Sequence, residues 1–231
     1  MRPMLSPAAL EHRRVDRSPG GREIDLYRLT NGPVNLLLIG GVHGDEPEGY
    51  YLVERFMKDG GWKQLEGKAA LWMLPRMNPD GCALNTRVNL NKVDLNRNMA
   101  TKDWSPVAAK ERYHPGPAAG SELETRALVR VIEDLKPRAI ISMHTYDPMI
   151  NYNGPCRKLA DVLAKGSGYI VTDHIGYPTP GSLGTWAGWE REIPTITLEI
   201  ERDCGPEKTW AVHSKPLLDG LLFAAENEDM A

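Results

Sequence analysis

A run of strand-forming residues from Val34 to Ile39 breaks at Gly40-Gly41 and delivers His43 and Glu46, three positions apart, just beyond its carboxyl end. Open α/β sheets place their chemistry beyond the carboxyl ends of their strands, where a glycine turn lets side chains converge. An imidazole and a carboxylate together suit a borderline metal such as zinc. Two ligands do not hold a catalytic zinc, so a third must come from elsewhere and one position must stay open. His144 follows the later apolar run Ala139-Ile140-Ile141-Ser142-Met143 and is the candidate third ligand. Two histidines and a glutamate around one zinc ion leave a place for water. Asp45, between the first two, is expected to point away from the metal and to cap the helix that follows.

The remaining apolar patterning extends this frame. Short apolar or β-branched runs bounded by Gly, Pro or Asn predict strands at Glu23–Leu29, Val34–Gly40, Ala69–Leu74, Ala139–Met143 and Thr195–Ile200. Helices are expected at Pro47–Lys58, Ser121–Leu135, Arg157–Ala164 and Leu217–Glu226. Pro47 suits a first helical turn, where its missing amide would have no partner. Ser121 and Glu124 have the spacing of a capping box, and Pro137 ends that helix. Alternating strands and helices predict a single-domain α/β fold, a mostly parallel mixed sheet flanked by helices. Residues 1–231 form one catalytic domain in this reading, with residues 1–20 a polar arm carrying a short helix at Ala8 to Arg13. The stretch from Arg76 to Ala119 is long and rich in Asn, Arg, Pro and Gly, and loops of that length in a compact domain are usually functional.

Composition narrows the partners. A net charge of −3, with no run of Lys and Arg, argues against a nucleic-acid or membrane surface. The three cysteines, Cys82, Cys156 and Cys204, are widely spaced and form neither a disulfide framework nor a Cys-x-x-Cys pair. The stretch Met1 to Pro7 is too short and too broken by proline for a signal peptide, so a cytoplasmic protein is expected; a periplasmic one would need a leader already removed.

Hydrolysis at such a metal needs a carboxylate to take a proton from water and pass it on. The run Thr195-Ile196-Thr197-Leu198-Glu199-Ile200-Glu201 offers Glu199 and Glu201 on one face of the pleat, and periodicity does not choose between them. Asn78-Pro79-Asp80-Gly81 reads as a turn. Beyond it, Arg97 can hold a carboxylate through two parallel hydrogen bonds, Asn96 can add another, and Arg87 can stabilise an oxyanion.

These motifs occur in one order: His43-x-x-Glu46, Asn78-Pro-Asp-Gly, Asp94-Leu-Asn96-Arg97-Asn98, His144, and Thr197-Leu-Glu199. The set resembles the zinc carboxypeptidase family, whose type member is carboxypeptidase A. The resemblance spans residues 40 to 201 and implies one zinc on His43, Glu46 and His144. It further implies Glu199 as the base in preference to Glu201, Arg87 on the scissile carbonyl, and Asn96 and Arg97 on the substrate's terminal carboxylate.

A narrower likeness joins Gly176-Tyr177-Pro178-Thr179-Pro180-Gly181-Ser182-Leu183-Gly184-Thr185-Trp186, Asn85 to Asn89 and His114-Pro115-Gly116 to the bacterial murein peptide amidases. Those enzymes cut the γ-D-glutamyl–meso-diaminopimelate bond, so the implied partner is a small murein tripeptide with a free terminal carboxylate. In this likeness Tyr177 covers the substrate and Leu183 lines the pocket for the terminal side chain. The short spacing from Arg87 to Asn96 and the small size of the chain set it apart from the digestive enzymes and imply a more open cleft. Two other readings share some of these features: an N-acyl amino acid deacylase of the aspartoacylase or succinylglutamate desuccinylase type, and a non-catalytic peptide-binding module.

Overall fold

The computed structural model describes residues 9–231. The expected start of the polar arm and the absence of a leader at Met1 to Pro7 fall outside them. The strands are β1 (Glu11–Arg17), β2 (Glu23–Arg28), β3 (Asn35–Ile39), β4 (Ala70–Leu74), β5 (Ala139–Tyr146), β6 (Met149–Asn153), β7 (Ile170–Thr172) and β8 (Thr195–Glu201). The helices are α1 (Pro47–Asp59), α2 (Pro79–Leu84), α3 (Leu123–Leu135), α4 (Arg157–Ser167) and α5 (Pro206–Glu226). One sheet runs β1-β2-β4-β3-β5-β8-β6-β7. Its four central strands, β4, β3, β5 and β8, are parallel. Antiparallel pairings at β1/β2, β2/β4 and β6/β8 make the sheet mixed, and helices cover it as the alternation implied.

The central strands are buried on both faces, which is why they read as nearly unbroken apolar runs. Successive side chains of β3 enter opposite core layers. Leu36 and Leu38 pack with Leu52, Val53 and Phe56 of α1 and with Leu217 and Leu221 of α5. Leu37 and Ile39 pack with Ala127, Leu128, Val131 and Ile132 of α3. Each such aliphatic side chain contributes about 1.5–3 kcal/mol by leaving water. The apolar spacing of α3 puts these contacts on one stripe of the helix.

Several expectations change. Glu11–Arg17 is an edge strand, and the short helix expected at Ala8 to Arg13 is absent from its described part, residues 9–13. Its polar sequence hid it: charged side chains protect a sheet edge, and backbone pairing to β2 holds the strand. Helix α5 begins at Pro206 and carries Pro216 inside it. The helix expected from Leu217 thus starts eleven positions earlier; a proline inside a helix removes a hydrogen bond, and Pro216 is buried, packed close to Gly166 of α4. The capping box at Ser121 does not form. The cap position is Glu122, with no side-chain cap bond, because Asn98 Nδ2 donates to Ser121 Oγ (3.0 Å) and Ser121 Oγ donates to Glu122 Oε1 (2.6 Å). Asp45 likewise does not cap α1, whose cap position is Glu46. The three cysteines are free thiols, and no helix among the described residues is long and apolar enough to cross a membrane.

Glu124, fully buried at the start of α3, accepts from Asn89 Nδ2 (3.2 Å), and burial pushes its carboxyl up to about 7. A group whose folded pKa is raised stabilises the fold below its unfolded value, 4.5, and that contribution is lost as pH rises through 7. Glu124→Gln removes the ionisation while keeping an acceptor for Asn89. The variant should be more stable than wild type at pH 8 by about 1–3 kcal/mol, and the gap should close below pH ~4.5. Urea unfolding at the two pH values measures it; a gap independent of pH would contradict this origin.

Candidate metal centre

The carboxyl ends of β3 and β5 carry the three proposed ligands. The segment after β3 turns at Gly41, whose φ of +62° favours glycine. The following loop then presses against α2: a side chain at Gly44 would meet the Gly81 backbone at 1.9 Å. Asn78-Pro79-Asp80-Gly81, expected as a turn, is thus the start of a short helix with a structural task. Asn78 Oδ1 accepts from the Gly81 amide (2.8 Å), while the Asn78 amide donates to Gly41 O (2.8 Å) and Gly44 N donates to Thr86 O (3.0 Å). These bonds brace the loop that presents His43 and Glu46. His144 lies within β5, which runs on past Met143 to Tyr146.

His43, Glu46 and His144 meet in the buried interior of this end of the sheet. His43 Nδ1 lies 3.0 Å from Glu46 Oε1 and 3.1 Å from His144 Nδ1, and His144 Nδ1 lies 3.1 Å from Glu46 Oε2. Zinc–ligand bonds of about 2.0–2.1 Å in a tetrahedron place ligand atoms roughly 3.3 Å apart, so the trio fits that ion with little adjustment. The electrostatics agree. Burial would push Glu46 up, but the His43 charge and hydrogen bonds from both histidines hold it well below the usual carboxylate range. Burial and the Arg87 charge push His43 down, but the neighbouring Glu46 and Asp94 outweigh them and raise it. His144 goes the other way: burial, with the His43 and Arg87 charges, pushes it down despite Glu46, toward the neutral imidazole that a metal needs.

Asp94 is the residue the sequence reading left without a role. Its Oδ1 lies 2.9 Å from His43 Nε2, an arrangement that fixes the imidazole so that Nδ1 faces the ligand position. Asp94 Oδ2 accepts from Arg87 Nε (2.9 Å), and Arg87 Nη1 donates to Glu46 Oε1 (3.1 Å). Asp94 is two positions before Asn96 in the same run, which was the available signal.

Parallel pairing of β5 and β8 sets His144 in register with Glu199. Glu199 is 6% exposed, and burial, then the Glu46 charge, pushes its carboxyl up to about 8. Glu201 instead pairs with Lys208 Nζ (2.7 Å) and is half-exposed. The strand end therefore separates the two acids that periodicity left equivalent.

A cleft of about 290 Å³ opens over the trio, lined by His43, Glu46, His144, Glu199, Arg87, Asn96, Arg97 and Tyr177. Arg97 is buried, with Nη1 donating to Asn96 O (2.6 Å) and its guanidinium over the Tyr113 ring at 5.3 Å. No carboxylate lies within ion-pair distance of it among the described residues. Asn96 Oδ1 accepts from the Leu183 amide (2.8 Å), which leaves its amide nitrogen for another partner. Tyr177 packs between Tyr113 and Tyr146, at ring-centre distances of 6.2 and 5.8 Å. Leu183 is the exception. Its side chain is buried in the core layer with Trp186 and does not line the cleft; only its backbone serves the site, by holding Asn96. Arg112, Tyr113 and Arg202 also line the cleft, and no periodic or motif signal marked them.

A family model described as zinc carboxypeptidase matches residues 5–166. The murein peptide amidase A of Vibrio campbellii is 32% identical over 176 residues, 71% of this chain and 68% of that protein. That of Escherichia coli K12 is 36% identical over 136 residues, 54% of this chain and 55% of that one. The crystal structure of the murein-tripeptide amidase from Escherichia coli O157 superposes with a TM-score of 0.78 at 25% identity, covering 94% of both chains. Carboxypeptidase A from Helicoverpa armigera shares the fold, with a TM-score of 0.80 at 17% identity over 95% of this chain and 69% of that one.

Proposed function

Because the chain belongs to the zinc carboxypeptidase family, we propose that this hydrolase cuts murein peptides at the γ-D-glutamyl–meso-diaminopimelate amide. The observation that carries the reading is the buried Arg97, without a carboxylate partner among the described residues, in the same cleft as the His43–Glu46–His144 trio and Glu199. A buried guanidinium calls for an anion, and a terminal carboxylate suits its fork. The relatives named for murein peptides direct the choice of substrate.

His43, Glu46 and His144 would hold the zinc ion, which would supply Lewis acidity to a carbonyl oxygen and to water. The chain's own residues do the rest. Arg97 and Asn96 hold the terminal carboxylate of diaminopimelate and remove orientational freedom from the scissile amide. Tyr177 covers the bound residue. Arg87, held by Asp94 and Glu46, keeps further N–H groups for the charge that develops on the carbonyl oxygen. Glu199 takes one proton from the attacking water, whose hydroxyl adds to the carbonyl carbon. It returns that proton to the nitrogen as the C–N bond breaks. A cytoplasmic setting accords with the three free thiols.

Arg97→Ala should raise KM for L-alanyl-γ-D-glutamyl-diaminopimelate by about 10²-fold or more, consistent with the loss of a charged, buried contact of roughly 3 kcal/mol. Wild type should likewise turn over poorly a tripeptide whose terminal carboxylate is amidated. Mass spectrometry of the products, with an N-acyl amino acid as a second substrate, checks both. Equal cleavage of free and amidated tripeptide would sink the clamp, and preference for the acyl amino acid would replace the substrate class.

A further inference from the structure

Among the described residues four arginines line the cleft, and the reaction above uses two. Arg87 is neutralised by Asp94 and Glu46, and Arg97 awaits the terminal carboxylate. Arg202, immediately after β8, shares no hydrogen-bond partner with Arg97. Its Nη2 donates to Thr145 O (3.0 Å) and its Nη1 to Asp45 O (3.3 Å). Its nearest carboxylate oxygen is Glu46 Oε1, at 3.4 Å, and that oxygen belongs to the metal site. Arg112 approaches the same spot from the long loop, 3.7 Å from Asp45 Oδ2. Backbone carbonyls orient a guanidinium without cancelling its charge. Arg202 is 39% exposed, so a ligand can reach it. Beside it the buried Thr145 Oγ1 has no hydrogen-bond partner among the described residues and lines the same cleft.

We infer that Arg202 is the receptor for a second substrate carboxylate, one carried by the acyl portion of the peptide. The inference rests on the site reading above, in which Arg97 already holds the carboxylate of the leaving residue; an anion at Arg202 then belongs to the other side of the scissile amide. An ordinary α-linked peptide has no carboxylate beside its scissile carbonyl unless a side chain supplies one. A γ-linked glutamyl residue whose α-carboxyl is free has one, that α-carboxylate, on a short methylene tether. Arg202 thus selects γ-glutamyl isopeptides with an ionised α-carboxyl over those in which that group is a carboxamide. Thr145 Oγ1 offers this carboxylate a further hydrogen bond.

The test compares two tripeptides, L-alanyl-γ-D-glutamyl-diaminopimelate and its α-carboxamide (isoglutaminyl) counterpart, on wild type and Arg202→Gln. Wild-type kcat/KM should favour the carboxylate substrate about tenfold or more, mostly through KM. In Arg202→Gln the ratio should collapse toward one while zinc content stays at the wild-type level. A wild-type ratio near one, or a ratio preserved in the variant, overturns the inference. Loss of zinc with equal loss on both substrates overturns it too, because Arg202 would then act through Glu46. If wild type cleaves neither tripeptide, the substrate reading falls, and calorimetric binding of the same pair still decides the subsite: affinity selective for the carboxylate and lost in Arg202→Gln supports it, equal affinities refute it.

Discussion

Glu199→Gln is expected to lower turnover of the tripeptide by about 10²–10⁴-fold while leaving zinc content and KM close to wild type. The substitution changes one oxygen to an amide nitrogen in a side chain of the same shape, so packing beside His144 is kept. What disappears is the ability to accept a proton. Glu199 is suited to that task by position: the pairing of β5 with β8 sets it beside a metal ligand. In the metal-free site burial, then the neighbouring Glu46, raises its carboxyl to about 8, and a cation on His43, Glu46 and His144 would draw it back down toward neutral pH. A group with a pKa close to the working pH can both take a proton from water and give it to a leaving amine. Rate measurements at saturating substrate, with metal analysis of the same preparations, separate loss of the base from loss of the metal. Turnover at the wild-type rate would show that another group moves the proton.

His144→Ala should abolish measurable hydrolysis and weaken zinc binding by well over 100-fold, more than the 10–100-fold that changes behind a ligand typically cost. Two donors do not hold the ion in a catalytic site. The fold should survive: β5 stays paired to β3 and β8 through its backbone, and Glu46 keeps partners in Arg87, Arg202 and the Thr145 amide. Far-UV circular dichroism should therefore match wild type while zinc content after dialysis falls. Retained zinc at one equivalent would remove His144 from the ligand set.

The parts of this molecule that were legible in advance are those where one short segment carries the whole signal. The strands at Asn35–Ile39 and Ala139–Tyr146 are apolar on both faces because both faces are buried, and their carboxyl ends brought His43, Glu46 and His144 together as expected. Features set by distant partners were harder to read. Glu11–Arg17 is polar because it is an edge, and only β2 makes it a strand. Ser121 has the sequence of a helix cap, but Asn98 reaches it first. Leu183 falls in the right segment, yet its side chain belongs to the core and its amide to Asn96. Asp94 and Arg202 acquire their places through contacts 51 and 57 positions away in the chain, to His43 and Thr145, and no local pattern encodes such contacts.

The most direct measurement strips wild-type protein of metal with a chelator, titrates zinc back, and follows diaminopimelate released from L-alanyl-γ-D-glutamyl-diaminopimelate. Release should be absent in the stripped protein and should rise with added zinc to a plateau at one equivalent per chain. Release that persists without metal, or none at any zinc level while the ion binds, would contradict a zinc-dependent murein peptide hydrolase.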